Sequence, residues 1–177
     1  MDTRLLRLFQ RQVETNCEYL LIAAQDFQRA YQDDDSARFW FSAQNMLVAA
    51  ANLSKSLWGA GGKKEAERQP LRQSLGVQDD SPLRPRKLRN HLEHFDERLD
   101  EWYQEALSSG RFYYLDRISA PAGMVAISPP PRPIEMFRHF DPQTGQLTFW
   151  GDTVSVAELV KEAQTILPIA RAEAAKA

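Results

Sequence analysis

The chain has 177 residues, 43% of them hydrophobic, and a formal net charge of −2. This length and apolar content suffice for one globular domain with its own core, so we expect a single domain over residues 1–177. The charge balance excludes proteins that coat nucleic acid or anionic membranes by overall charge, and any contact with nucleic acid must be local.

Two long helices are predicted first. From Asp2 to about Tyr31, apolar residues recur at the three-and-four spacing of one helical face. Asp34, Asp35 or Ser36 can then cap a second helix, which runs through ARFWFSAQNMLVAAANLSKSLW and ends at Gly59.

Residues 60–82 lack sustained periodicity, which predicts a long loop. A third helix is expected from about Leu83–Arg86 to about Leu107, with Pro85 in its first turn. Its apolar seam alternates steps of four and three, which indicates helix-on-helix packing. The seam consists of Leu88, Leu92, Phe95, Leu99, Trp102 and Ala106.

The character of the chain changes after Gly110. The proline-rich segment APAGMVAISPPPRPIEMF is expected to be extended and irregular. Two apolar runs around DPQTG predict a β-hairpin with Gly145 in the turn. A last helix, SVAELVKEAQTILPIARAEAAK, should be bent or divided at Pro168. The fold class is therefore mainly α, an antiparallel helical bundle with a small C-terminal β-hairpin and a final helix.

Cysteine content and hydropathy bear on the compartment. Cys17 is the only cysteine, which excludes an intrachain disulfide and a cysteine-based metal cluster. The N-terminal MDTRLLRLFQRQVE lacks the apolar run of a signal peptide, and no stretch has the length and hydropathy to span a bilayer. We expect a cytoplasmic protein without membrane association.

The segment RNHLEH, residues 89–94, places an arginine, an asparagine, a glutamate and two histidines close together on the predicted third helix. Three interpretations of this segment stay open. The first is a solvated helix face with intrahelical ion pairs. The second is a metal site, in which His91 and His94 are joined by Glu93, Asp96 and a histidine of the hairpin, His139. His139 taken alone is more typical of a surface strand residue, and no cofactor is expected.

The third interpretation is RNA cleavage without a metal. Histidine is suited to take the proton of a 2′-hydroxyl or return one to the leaving oxygen. Arginine supplies fixed donors for the charge that develops at phosphorus. Arg89 and His94 are five residues apart, about 140° around a continuous helix, so a twofold dimer facing two such helices would be needed to build one site.

The same residues resemble a known family. RNHLEH is similar to the R-x(4–6)-H motif of HEPN domains (higher eukaryotes and prokaryotes nucleotide-binding), and Asn90 fits the polar position that follows the arginine. NLSKSLW, at the end of the second helix, resembles stretches of bacterial HEPN-like proteins. The resemblance covers roughly residues 1–107, with residues 108–177 as a subfamily addition.

The resemblance implies a helical homodimer that acts as a metal-independent endoribonuclease and leaves a 2′,3′-cyclic phosphate. Carried over, Arg89 would stabilise the phosphate, Asn90 would orient the substrate or a partner side chain, and His94 would be the acid–base group. Some HEPN domains bind RNA without cutting it. Asp96 stands where many HEPN toxins carry a modified tyrosine, so neutralisation by that route is not expected.

Substrate binding would draw on the basic residues before the motif. Residues 63–89 contain eight basic and four acidic residues, among them Arg86 and Lys87. Lys55 is a further phosphate contact if the second helix packs on the third, although a lysine is also typical of a helix C-terminus. The partners considered are a second copy, RNA, and an antitoxin or regulatory protein. The competing function is a non-catalytic interaction module of a defence or stress system.

Overall fold

The computed structural model describes residues 1–85, 90–91, 94–110, 112–119 and 134–176. Helices predominate over these ranges, and the strands form one small sheet, which confirms the mainly helical class. The chain divides into two compact units, one formed by residues 1–86 with 157–177 and the other by residues 87–156. None of the helices within the described ranges combines the length and apolar character that crossing a bilayer requires.

The first two predicted helices are confirmed. Helix α1 spans Thr3–Gln32 and helix α2 spans Ser36–Trp58. The Asp35 carboxylate caps α2 by accepting a hydrogen bond from the Arg38 amide at 3.0 Å. Gly59 ends α2 at a φ of +59°, and a Cβ there would lie 2.9 Å from the Lys64 Cβ, so glycine suits this position on two counts.

The two helices form an antiparallel hairpin in the first unit. Near the turn, the Phe27 ring of α1 lies 4.2 Å from the Phe39 ring of α2. The apolar faces meet along the length of both helices, which excludes water from a continuous strip of side chains. Its largest fully buried members are Leu20, Phe39, Met46, Leu53, Leu57 and Trp58.

The predicted loop over residues 60–82 is wrong, because two short helices lie within it. These are α3, Lys63–Glu67, and α4, Gln69–Leu75. Leu71 and Leu75 are buried, and the buried Arg72 guanidinium donates to the Leu57 carbonyl at 2.8 Å and to the Glu65 carbonyl at 3.0 Å. Tertiary contacts of this kind stabilise helices too short to form alone.

The predicted third helix, from about residues 83–86 to about residue 107, is not one continuous helix. Its described C-terminal part is helix α5, Phe95–Ser108. Residues 82 and 83 lie in a turn, residues 84 and 85 have no regular structure, and His94 also lies in a turn. Residues 90 and 91 are helical, so the predicted continuous third helix is interrupted.

A four-stranded sheet completes the second unit. Its strands are β1, Phe112–Ile118; β2, Ile134–Asp141; β3, Gln146–Phe149; and β4, Asp152–Ser155, in the order β1-β2-β3-β4. Strands β1 and β2 are parallel, and the other neighbours are antiparallel. The predicted hairpin is confirmed in β2 and β3, with Gly145 at a φ of +67° in the turn. Strands β1 and β4 were not predicted, and most of the proline-rich segment, residues 120–133, lies outside the described residues.

An aromatic cluster is the core of the second unit. Phe137 on β2 is fully buried, and its ring lies 5.5 Å from Phe95, 5.3 Å from Trp102 and 5.1 Å from Phe149. These are the separations at which aromatic pairs gain energy beyond area burial. Phe137 is therefore the residue through which α5 and the sheet share one core.

The last helix, α6, spans Val156–Ala174 and continues through Pro168, so the expected division there is wrong. One stripe of small and apolar side chains is buried within the first unit. It consists of Leu159, Ala163, Ile166, Ala170 and Ala174. Arg171 pairs with Glu14 at 3.1 Å and with Glu18 at 2.6 Å on α1.

Candidate functional site

The predicted site residues fall in different parts of the structure. Arg89, Arg86 and Lys87 lie outside the described residues. Asn90 and His94 are exposed members of the second unit, and Lys55 belongs to the first unit. The candidate site is therefore built from Asn90, His91, His94 and the residues that surround them.

His94 lies at a break between two helical segments. Its φ of −118° and ψ of 42° are outside the helical region, and it is the residue that precedes α5. The backbone hydrogen bonds persist, because the His94 amide donates to the Asn90 carbonyl at 3.0 Å and its own carbonyl accepts from Arg98 at 3.0 Å. The angular separation of 140° assumed a regular helix through this point, and Arg89, its other residue, lies outside the described residues.

The imidazole of His94 is accessible and has a carboxylate beside it. Its side chain is 52% exposed, and Nδ1 lies 3.4 Å from Oε2 of Glu97. No described residue hydrogen-bonds the other ring nitrogen. A carboxylate near Nδ1 favours the tautomer that carries its proton there, and Nε2 is then the nitrogen that can accept a proton from a ligand.

The first turn of α5, directly after His94, carries two carboxylates. Asp96 and Glu97 occupy the first turn of α5, where carboxylates stabilise the positive end of the helix dipole. The same carboxylates repel a phosphate that approaches the imidazole. Arg98 of α5 is paired with Glu101 at 2.7 Å, so a site here that binds RNA needs a further cation.

His91 has a different environment, which the sequence did not predict. It is only 8% exposed, and its Nε2 lies 2.6 Å from the Asp152 carboxylate of β4. The ring stacks on Phe149 at 5.9 Å and meets the edge of Trp150 at 5.3 Å. Its Nδ1 is buried and has no hydrogen-bond partner among the described residues.

The turn that presents Asp152 is strained. Trp150 has a φ of +41° and Gly151 a φ of +80°, the pattern of a two-residue type I′ turn between β3 and β4. A bulky residue at positive φ costs energy that its contacts must offset. Trp150 has such contacts: its amide donates to the Phe137 carbonyl at 2.7 Å, and the Arg98 guanidinium lies 4.9 Å from its ring.

The His91–Asp152 pair joins a helical segment to the sheet and is expected to stabilise the second unit. Replacing Asp152 with alanine leaves the buried imidazole without its acceptor, so the free energy of unfolding should fall by about 1–3 kcal/mol. Amide hydrogen exchange of β3 and β4 measures the change. Thr153→Ala, which removes a hydroxyl pair on the exposed side of the same strand, is the matched control and should have a much smaller effect. Equal effects of the two variants would contradict this role.

The structure is unfavourable to the three-histidine metal site. His139 is buried rather than exposed, so its interpretation as a surface strand residue is wrong, and its Nε2 is bonded to the Ser119 carbonyl at 2.7 Å. The Nε2 atom of His91 is already paired with the Asp152 carboxylate at 2.6 Å. Within the described ranges, no group of three or more His, Cys, Asp or Glu side chains is arranged to hold a metal ion.

The basic stretch before the motif is largely engaged within the protein. Arg68 packs over the Phe9 ring at 3.7 Å, Arg84 pairs with Glu65 at 3.0 Å and Lys64 pairs with Glu67 at 2.8 Å. Arg72 is buried. Lys55 is exposed in the last turn of α2, the position at which lysine stabilises the negative end of a helix. Over residues 63–85, the described part of the stretch, these side chains do not form a continuous cationic surface.

A cleft of about 500 Å³ lies in the first unit between α6 and residues 75–82. At its wall, the buried Ser81 hydroxyl donates to the Glu162 carboxylate at 2.6 Å. Behind it, Cys17 is completely buried, and burial, with the Glu162 and Glu18 charges, raises the pKa of its thiol to about 12. The thiol is therefore neutral at physiological pH.

Cys17 gives a pH prediction. The thiol should resist alkylation by iodoacetamide at pH 8 in the folded protein and react on unfolding. Because its folded pKa exceeds its ordinary value of 9.0, its contribution to stability is complete below pH 9 and is lost as the pH rises towards 12. The measurement is the free energy of unfolding of wild type and of Cys17→Ala at several pH values across this range. The free energy should fall more steeply with pH in wild type than in Cys17→Ala. The same dependence on pH in both proteins would contradict the prediction.

A second concavity, of about 310 Å³, lies on the outer face of the α1–α2 hairpin. We call it the hairpin groove, and all of its lining residues belong to these two helices. They are Asn16, Tyr19, Ile22, Ala23, Asp26, Phe41, Ser42, Asn45, Val48, Ala49 and Asn52. Sequence periodicity assigned the buried face of each helix but gave no weight to this one.

No family model, curated protein or solved structure matches this chain. The functional argument therefore depends on the motif and on the geometry of the residues around it.

Proposed function

We propose that the chain is a HEPN-like cytoplasmic protein that binds and cleaves RNA as a homodimer, without a metal. The observation that carries the proposal is the exposed imidazole of His94, which has the Glu97 carboxylate 3.4 Å from Nδ1 and, at Nε2, no hydrogen bond from the part of the chain that the structure describes. Asn90 is exposed one hydrogen-bonded turn before it. The other two histidines are buried, so His94 is the histidine that can meet a substrate.

Each residue of the motif has a role in the proposed reaction. Nε2 of His94 accepts the proton of the 2′-hydroxyl while that oxygen attacks the adjacent phosphorus. The bond to the 5′-oxygen breaks, the leaving oxygen takes up a proton, and a 2′,3′-cyclic phosphate remains. Arg89 stabilises the negative charge at phosphorus, and it supplies the cation that the acidic first turn of α5 lacks. Asn90 orients the substrate.

The test is cleavage of a mixed pool of single-stranded and structured RNA by the purified protein in excess EDTA. We expect fragments that end in 2′,3′-cyclic phosphate. If the protein binds RNA to saturation but does not cleave it, the catalytic part of the proposal is overturned and only RNA binding remains. Absence of both binding and cleavage would overturn the proposal.

A second function, a non-catalytic interaction module, is favoured by a separate observation. The hairpin groove exposes large apolar side chains, whereas Arg68, Lys64 and Arg84 of the predicted basic stretch have partners within the protein. In this alternative the RNHLEH segment is structural, and its His91 links the helical segment to Asp152 of β4. RNA cleavage by the purified wild-type chain would exclude it.

A further inference from the structure

The cleft between α6 and residues 75–82 has the size and the apolar lining of a ligand site. Its volume of about 500 Å³ lies within the range of roughly 300–1,000 Å³ that small-molecule pockets occupy. The apolar part of its lining consists of Leu75, Val77, Pro82, Ile166 and Ile169. Because Leu75, Val77 and Ile166 are buried, an alkyl chain that enters the cleft can pack against the core of the first unit.

A buried serine fixes the position of one carboxylate in this cleft. Ser81 is only 6% exposed, and its hydroxyl accepts a hydrogen bond from the Leu83 amide at 3.3 Å. The same hydroxyl donates its one proton to Oε1 of Glu162 at 2.6 Å. The Glu162 side chain is therefore held between α6 and the segment that precedes α5, and it does not move freely in solvent.

The Glu162 carboxylate has no cation beside it. Among the residues that the structure describes, no lysine, arginine or histidine pairs with it, and Oε2 accepts no hydrogen bond. A carboxylate that is partly withdrawn from water is stabilised when a cation replaces the lost hydration. Its charge also acts inside the protein, because after burial it is the next cause of the raised pKa of Cys17.

The remaining charges in the lining favour a cation. Asp80 and Glu158 are acidic, and Lys161 is the basic residue of the described lining. Glu158 lies in the first turn of α6, where the helix dipole offsets part of its charge. Asp80 and Glu162 are then the carboxylates that act most strongly on a ligand. Complementary charge attracts a cationic ligand to this cleft and repels an anionic one.

We propose that this cleft binds an aliphatic amine. The ammonium group donates to Oε2 of Glu162, and the alkyl chain packs against Leu75, Val77 and Ile166. An ammonium carries three donors and no acceptor, which suits a site whose nearest polar group is a carboxylate. Free alkylamines and the lysine side chains of proteins share this chemistry, and the experiment distinguishes these two sources. The site lies in the first unit and does not depend on the proposed RNA cleavage.

The test is a titration of the full chain at pH 7 with hexylamine, hexanol and hexanoate, followed by amide chemical shifts. The three ligands have alkyl chains of similar length and differ in the charge of the head group. We expect shifts in residues 75–82 and in α6. Hexylamine should bind at least about ten-fold more tightly than hexanol, and hexanoate should bind more weakly than hexanol.

A fourth ligand, Nα-acetyl-lysine N-methylamide, presents the same ammonium group on a peptide backbone. If it binds as tightly as hexylamine, the cleft takes a lysine side chain. If it binds more weakly than hexylamine, the cleft takes a free amine.

Glu162→Gln tests the carboxylate directly. The amide oxygen can still accept from Ser81, but the charge is removed, so the affinity for hexylamine should fall by about ten-fold or more. The affinity for hexanol should not change. Asp79→Asn is the matched control, because Asp79 precedes Asp80 in the chain, has a side chain that is 75% exposed and does not line the cleft. Its affinity for hexylamine should equal that of wild type.

Circular dichroism of each variant checks that the helices persist, and the comparison of ligands on wild type needs no variant. Equal binding of hexylamine and hexanoate by wild type would overturn the inference, as would absence of hexylamine binding. Unchanged affinity of folded Glu162→Gln for hexylamine would overturn it too. RNA cleavage by a protein that does not bind the amine would refute this site alone, and amine binding by a protein inert towards RNA would refute the proposed function alone.

Discussion

Replacing His94 with alanine is expected to lower the rate of RNA cleavage by about 10²–10⁴-fold, the contribution of a positioned general acid or base. Folding should be unaffected, because the side chain is half exposed and, among the described residues, its polar neighbour is the exposed Glu97. Binding should also persist, since Arg89 and Asn90 remain. The measurement is the single-turnover rate with RNA in excess EDTA, together with the melting temperature of the variant.

Two further variants show whether a loss of cleavage rate is specific to His94 or follows from any substitution in α5. Glu97→Gln removes the carboxylate next to Nδ1, so a smaller but clear loss of rate is expected if Glu97 positions the ring. Asp100→Ala changes an exposed acidic residue of the same helix that has no assigned role, and it should cleave like wild type. If His94→Ala were as active as Asp100→Ala, the acid–base assignment would be wrong.

Replacing Phe137 with alanine should destabilise the unit of residues 87–156 by about 3–5 kcal/mol. The fully buried ring contacts Phe95, Trp102 and Phe149, so its loss opens a cavity that no single neighbour can fill. Amide hydrogen exchange in β2 and β3 should accelerate by about two to three powers of ten, since each factor of ten corresponds to about 1.4 kcal/mol.

The control for Phe137 is an aromatic residue of the same sheet. Tyr114 on β1 is 38% exposed, and Tyr114→Ala removes a ring of similar size without opening a cavity in the core. Its effect on exchange in β2 and β3 should be several-fold at most. If the two variants had the same effect, Phe137 would not be the centre of the core of this unit.

Helices α1 and α2 and the β2–β3 hairpin were predictable because their signals are local. Each helix has an apolar face at helical spacing, an aspartate before its first turn and, for α2, a glycine at its end. The hairpin has alternating apolar residues around a turn that contains Gly145. These features act within a few residues, so the sequence alone specifies them.

The features that were missed depend on distant residues. Helix α4 is stabilised by the buried Leu71 and Leu75 and by the bonds of Arg72 to carbonyls of α2 and α3. Strand β1 pairs in parallel with β2 across an intervening segment of the chain, for which no local pattern exists. Strand β4 follows a turn in which Trp150 takes a conformation that glycine or asparagine normally supplies.

The candidate site was predictable in composition but not in geometry. RNHLEH indicated Arg89, Asn90 and His94 as a group on one helix. The break at His94, and the pairing of His91 with a residue 61 positions away, arise from packing between the helical segment and the sheet. An aspartate directly after a Trp-Gly turn was the one sequence feature that could have drawn attention to Asp152.

The central claim is that Arg89 and His94 cleave RNA without a metal, and the 3′ ends of the RNA test it most directly. Wild type, Arg89→Ala and His94→Ala would be incubated with the same RNA in excess EDTA, and the termini identified by mass spectrometry. We predict 2′,3′-cyclic phosphate ends with wild type and at least about 100-fold fewer with either variant. Equal amounts of these ends in all three reactions, or none in any of them, would contradict the claim.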